Sequence, residues 1–294
     1  MKTIKLSGLI ALTVLLLSSC VHLGDLNLDP IPDIAFSVEH NGLTLTFAST
    51  SANTSDVKWK TSDGGAESGE TMTHTFPEPG TYWIEMSGTY EGVPQTVSTK
   101  ILVAKPAKVS MTDGTVADWE KVTYPDFQLT GAEPGSPIQK VKIDYDANYV
   151  YYYMELDVTA NPAADEYSHI LSVRIDSDDD TSTGMSTGGV GADYLMEGNV
   201  YEGGWYDFYK YSAADDDWSY IEDADFYEKG IVIGHRVVTD NIMKVEWAYS
   251  RSIFGITYTS YSFYMKAYDG DWSDADIVYF NGSKTIHIAM DKKQ

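Results

Sequence analysis

The chain has 294 residues, 43% of them apolar, with 20 Lys and Arg against 44 Asp and Glu for a net charge of −24. That excess argues against electrostatic attachment of the chain as a whole to nucleic acid or to anionic lipid headgroups, because like charges would have to be brought together. A single cysteine rules out an intrachain disulfide, so stability has to come from buried apolar surface, and the length suffices for one sizeable domain and a smaller one.

Lys2 and Lys5 precede an apolar run from Leu9 to Leu17, which closes on Ser18 and Ser19 before Cys20. A basic start, an apolar stretch and small residues at the cut are signal-peptide grammar, and the run is about half of the roughly 20 residues that span a bilayer. Leu17-Ser18-Ser19-Cys20 matches the lipobox cut by lipoprotein signal peptidase. Residues 1–19 are therefore expected to be removed and Cys20 to carry the acyl chains. The other reading of Cys20 is a free thiol in an ordinary secreted protein. The expected location is the cell envelope, on the outer membrane and held by lipid alone. Asp25 and Asp29 are too sparse a cluster to decide between an outward and a periplasmic face. Residues 20–32 read as a tether, polar and proline-bearing, without an apolar period.

From 33 to 104 the pattern alternates: Ile34, Phe36, Val38, then Leu43, Leu45, Phe47, then Val57 and Trp59, with turn residues between. Short, regularly spaced strands predict a small β-sandwich. Trp59-Lys60-Thr61-Ser62-Asp63-Gly64-Gly65, followed by Thr73-His74-Thr75-Phe76 and Pro79-Gly80-Thr81-Tyr82, resembles the PKD domain, an immunoglobulin-like module. The chain departs from that pattern at Lys60-Thr61-Ser62, where Asp-Phe-Gly is usual. The resemblance implies a spacer or adhesion module and a structural role for His74. Lys105-Pro106-Ala107-Lys108 reads as a hinge.

Residues 105–294 contain a hairpin at 138–157 turning on Asp146-Ala147-Asn148, then alternating runs at 169–176, 192–200, 205–211, 230–237, 242–249, 261–268 and 285–289. No amphipathic stretch of helical length is present. The predicted fold is all-β throughout, a small immunoglobulin-like sandwich followed by a larger, jelly-roll-like one of eight to ten strands. Four ordered segments resemble family 9 carbohydrate-binding modules and DOMON-like domains. These are Asp113-Gly114-Thr115-Val116-Ala117-Asp118-Trp119, the hairpin from Lys142 to Tyr151, the loop from Ile175 to Gly184 with Gly191-Ala192-Asp193-Tyr194, and Glu246 to Gly255. Ser250 stands where that family commonly has proline.

Asp176, Asp178 and Asp180 alternate at a strand end, so their carboxylates can converge, with Asp193 as a further ligand. Hard oxygen donors on an irregular loop point to calcium; the alternative is a solvated acidic loop. Thr181 and Thr187 stand where an EF-hand needs glycine and glutamate. Gly184-Met185-Ser186-Thr187-Gly188 fits the expression for a nucleophile elbow, but that device requires a following helix and here a strand follows. With no segment resembling a hydrolase, no enzyme activity is expected. Trp205, Tyr206, Trp218, Tyr220, Tyr268 and Trp272 lie in polar, Gly- or Asp-rich surroundings and are the expected sugar-stacking residues. Trp59, Trp83, Trp119 and Trp247 read as core.

The expected function is non-catalytic capture of a polysaccharide or oligosaccharide by the larger sandwich, with partner proteins of a glycan-uptake complex possible and no nucleic acid. Two alternatives stand: a haem-binding DOMON-like redox module, for which His169 and His235 are equally well read as strand residues, and a structural or protein-docking subunit.

Overall fold

Alternation of apolar and polar residues builds nearly every element of this chain, because strand side chains point to opposite faces in turn and one face has to be buried. The computed structural model describes residues 32–123, 128–131, 136–159, 170–200, 204–256, 260–268, 272–279 and 282–290. Residues 1–19, Cys20, most of the tether and His169 lie outside the described residues.

Seven strands fall between 36 and 103: β1 (Phe36–Asn41), β2 (Thr44–Ser49), β3 (Thr54–Thr61), β4 (Ala66–Ser68), β5 (Thr71–Thr75), β6 (Gly80–Tyr90) and β7 (Val93–Val103). They form two antiparallel sheets, β1-β2-β5 and β4-β3-β6-β7. Leu45, Phe47, Trp59, Ile84 and Met86 fill the space between them. His74 is structural here: its Nε2 meets Asp63 Oδ2 at 2.8 Å and its ring packs edge-on against Phe76. Partial burial works upward on Asp63, but hydrogen bonds from His74 and Thr61 hold its carboxyl below the usual range.

The remaining strands are β8 (Gln128–Gly131), β9 (Ile138–Tyr145), β10 (Tyr149–Asp157), β11 (Ile170–Asp176), β12 (Met185–Thr187), β13 (Val190–Ala192), β14 (Tyr194–Gly198), β15 (Tyr206–Ser212), β16 (Asp217–Tyr220), β17 (Ile231–Thr239), β18 (Ile242–Ser250), β19 (Ser260–Tyr268), β20 (Asp274–Tyr279) and β21 (Ile286–Ala289). These outnumber the eight to ten expected, because the three- and four-residue strands have too few positions to show a period. One hydrogen-bonded path runs β16-β15-β14-β11-β19-β20-β8-β9-β10-β18-β17, with β21 pairing β19. The path folds over on itself. Tyr152 and Tyr249 from one half meet Phe263 and Phe208 from the other, with ring centroids 5.8 and 6.1 Å apart. The Tyr152 and Tyr261 hydroxyls hydrogen-bond across the core. The result is an all-β sandwich. Two short helices, Ala224–Gly230 and Arg251–Phe254, close one side. Among the described residues, no helix is long and apolar enough to cross a membrane.

The segment read as a hinge is held down. Lys105 reaches the buried Asp144 carboxylate and donates to the Tyr145 carbonyl at 2.9 Å, and the Lys108 amide donates to Asp144 at 2.6 Å. The two lysines that interrupt an acidic sequence are there to neutralise and cap a buried acid, not to loosen the chain. Trp83 also departs from expectation: it is 51% exposed, because Ile84 and Met86 take the inward positions of β6.

Candidate functional site

The half-sandwich β16-β15-β14-β11-β19 sends Val173, Met196, Phe208, Phe263 and Met265 inward, so the intervening residues form its outer face. Register puts them in rows. Lys266 pairs with Ser172, Ser172 with Glu197, and Glu197 with Asp207, a polar row across four strands. On one side runs Tyr264, Arg174, Leu195, Tyr209 and Tyr220. On the other side Tyr268 and Trp205 bracket the sheet and meet through Trp272, with ring centroids 5.7 and 6.2 Å from it. Rows on one sheet face lie roughly 7 Å apart. A polar strip one residue wide therefore separates two aromatic borders.

The strip is wired internally. Arg174 donates from Nη1 to Ser172 Oγ at 2.8 Å, and the guanidinium lies 5.8 Å from the Tyr264 ring centre. Lys266 Nζ stands 5.5 Å from the Tyr268 ring centre. Burial, and the charge of Asp207, push the Glu197 carboxyl up, against Arg174 and the Ser172 hydroxyl. The β12-β13 hairpin packs over one end, where Val190, Ala192 and Tyr264 form a small cluster against Trp218. Only glycine fits at 188: φ is +61° and a Cβ would come within 2.5 Å of the Tyr264 ring. Ser186 thus sits in a β-hairpin and not at the strand-to-helix turn of a nucleophile elbow.

Of the six aromatics expected to stack on sugar, Trp205, Tyr268 and Trp272 come together at one border, and Tyr220, 51% exposed, lies at the other. Trp272 is 47% exposed and adopts φ +68°, a conformation that costs a bulky residue free energy and persists where surroundings impose it. Trp218 is half-buried, pairing with Tyr211 under the hairpin. Tyr206 is not on this face. Its ring packs against Phe208 and Tyr227 at the edge of the core, because adjacent residues of a strand cannot share a face. Arg174, Ser172, Glu197, Tyr209 and Lys266 had no local sequence signal; only the pairing of distant strands unites them.

The acidic loop sits beyond the ends of β11 and β14. Oxygens of Asp176, Asp178 and Asp193 lie within 4.8 Å of one another, a group that can hold a metal ion. Asp176 accepts the amides of Asp180 and Gly191, both at 3.1 Å, and Asp193 accepts the Ser177 amide and hydroxyl at 2.9 and 2.7 Å. Burial, then the charges of Asp193 and Asp178, push the Asp176 carboxyl up to about 6 despite those amides. Asp180 is turned away, its carboxylate accepting the Ser182 amide and hydroxyl at 2.9 and 2.6 Å. Three carboxylates on a loop offer hard oxygen donors that suit a calcium-like cation and no soft one.

Asp179, at φ +58°, ties the loop to the sheet: it accepts hydroxyls of Ser260 and Ser262, both at 2.7 Å, and faces His287 Nδ1 at 3.1 Å. Ser262 donates to the carboxylate, and serine and aspartate meet the same imidazole nitrogen, so the Ser-to-His-to-Asp order of a nucleophile relay is not met.

Compared with models of protein families and with curated proteins, the sequence matches none. Among solved structures, the chain is similar to the PKD1 domain of the Vibrio cholerae metalloprotease PrtV, with 21% identity over 24% of this chain and 95% of that one and a TM-score of 0.23. It is also similar to the PKD1 domain of Vibrio anguillarum Epp, with 17% identity over 25% and 93% of the two chains and a TM-score of 0.23. A third similar structure, described under the promiscuous specificity of carbohydrate-binding modules from the β-sandwich superfamily, has 12% identity over 88% of this chain and 99% of that one, with a TM-score of 0.26.

Proposed function

We propose that the chain is a non-catalytic carbohydrate-binding lipoprotein of the cell envelope, held on the outer membrane through acyl chains on Cys20, with the larger sandwich capturing a saccharide. The observation that supports this reading is the row of Lys266, Glu197 and Asp207, with Ser172 fully buried within it, between the Tyr268–Trp272–Trp205 border and a second border on which Tyr209 and Tyr220 keep accessible ring while Tyr264 and Leu195 are buried. A pyranose ring has an apolar C–H face and a rim of hydroxyls. Flat rings set beside charged donors and acceptors meet both needs at once. Calcium in the acidic loop, on Asp176, Asp178 and Asp193, would relieve the repulsion among three carboxylates and fix the loop that Asp179 ties to the sheet.

The test is retention of the purified chain on a panel of neutral polysaccharides, followed by titration of oligosaccharides from whichever retains it. Trp272→Ala and Tyr209→Ala are each expected to weaken binding about tenfold, the loss of roughly 1.4 kcal/mol that removal of one stacking ring brings. Retention on nothing, or retention indifferent to both changes, would sink the reading.

A further inference from the structure

The smaller sandwich sets an exposed indole beside an open cleft. Trp83 is 51% exposed on the outer face of β4-β3-β6-β7. Its backbone is fixed by the β3–β4 turn: the Trp83 amide donates to Ser62 Oγ at 3.1 Å and the Ser62 amide to the Trp83 carbonyl at 2.9 Å. Beside it lies a cleft of about 390 Å³ whose wall includes Lys60, Ser62, Trp83, Glu85 and Ser98, within the range that ligand clefts occupy, roughly 300–1,000 Å³. Apart from Trp83 the accessible wall is polar, since Ile84 is fully buried. A protein interface of useful size needs contiguous apolar area at its centre, which this wall lacks.

The charge here is opposite to that of the chain. Trp83 pairs with Lys100, whose Nζ stands 5.2 Å from the indole centre, and Glu85 pairs with Lys60 across β3 and β6 and with Ser98 across β6 and β7. Lys58 is the next outward residue of β3. The outward positions of these strands thus carry Lys58, Lys60 and Lys100 against Glu85, in a molecule of net charge −24. The Lys60–Glu85 ion pair is 3.5 Å long and open to water, so Lys60 is available at little cost.

We propose that this face binds an acidic polysaccharide, one sugar ring lying against the Trp83 indole and its carboxylate or sulfate between Lys60 and Lys100. The site lies in the other sandwich from the strip and does not depend on it.

The test is affinity electrophoresis of the full chain through gels containing polygalacturonate, hyaluronan or chondroitin sulfate, with the neutral panel as comparison. At least one acidic polymer slows the protein, and added salt weakens the effect. The first two polymers carry carboxylates alone and the third carries sulfate as well, so the pattern names the anion. Trp83→Ala lowers the apparent affinity at least tenfold, the double change Lys60→Gln with Lys100→Gln does the same, and Trp83→Ala leaves neutral-glycan retention and the unfolding midpoint unchanged. No slowing by any of the three overturns the proposal, as does slowing that survives Trp83→Ala. Acidic gels that fail while neutral retention holds reject this site alone; the reverse rejects the strip alone.

Discussion

Replacing Lys105 with methionine tests whether the segment joining the sandwiches is a clamp. The lysine stem passes over Tyr145, its ammonium 4.3 Å from the ring centre, and the charge ends on Asp144, whose side chain is 1% exposed against 18% for Lys105. Methionine keeps the volume of the stem and removes the charge. Asp144 then retains the Lys108 amide at 2.6 Å but loses its cation. Removing one partner of a buried pair costs about 3–5 kcal/mol, because the other is left charged in a poor solvent. The remaining amide and the slight exposure of Lys105 place this case near the lower limit, about 3 kcal/mol. Domains are stable by roughly 5–15 kcal/mol, so the loss is large. In urea unfolding followed by tryptophan fluorescence, a slope of about 2–3 kcal/mol per molar turns it into a midpoint lower by about 1 M or more. Adding Asp144→Leu should recover much of the loss, since the uncompensated charge goes too. A midpoint within about 0.3 M of the parent for Lys105→Met would refute the clamp.

Two further outcomes follow from the same geometry. Asp63 is held below its ordinary value of 3.8 by His74 and Thr61, and a depressed carboxyl contributes stability above the unfolded value that is lost as pH falls through the folded one. Asp63→Asn should therefore destabilise the smaller sandwich at pH 7, and the difference from the parent should shrink as pH falls below the ordinary value of 3.8; a difference that stays constant as the solution is acidified contradicts the pairing. Calcium at about 100 times its dissociation constant adds about 2.7 kcal/mol, or a Tm rise of roughly 5–10 °C for a domain of this size. Asp193→Asn should remove most of that rise and Asp180→Asn little, whereas no rise at any calcium concentration in chelator-treated protein ends the metal assignment.

Much of the sandwich was legible because period-two alternation is a direct record of burial. The 138–157 hairpin could be read from its apolar positions and from Asp146, whose carboxylate accepts the Asn148 and Tyr149 amides at 2.7 and 2.8 Å and so makes the turn. Adjacent aromatics defeated the same logic. In Tyr82-Trp83-Ile84 and in Trp205-Tyr206 neighbours must face opposite ways, and composition does not say which goes out. The fold sends Trp83 out because Tyr82 and Ile84 join the core, and it sends Tyr206 in beside Phe208. The acidic loop was visible as a cluster, yet which carboxylates converge depended on hydroxyl and amide partners: Ser182 diverts Asp180, and the bend between β13 and β14 delivers Asp193. The polar strip was invisible, since each of its four members comes from a different strand and nothing local announces their pairing.

The long hydrogen-bonded path ends on β16 and β17. β16 is four residues long and begins with Asp217, and β17 is bulged between Ile233 and Arg236 where it meets β18. A short acidic rim and a kinked one both spoil the flat row of free amides and carbonyls on which a second copy would zip. Crowding of such molecules side by side therefore carries little risk of sheet-to-sheet polymerisation, and straightening the bulge is where that protection would first be lost.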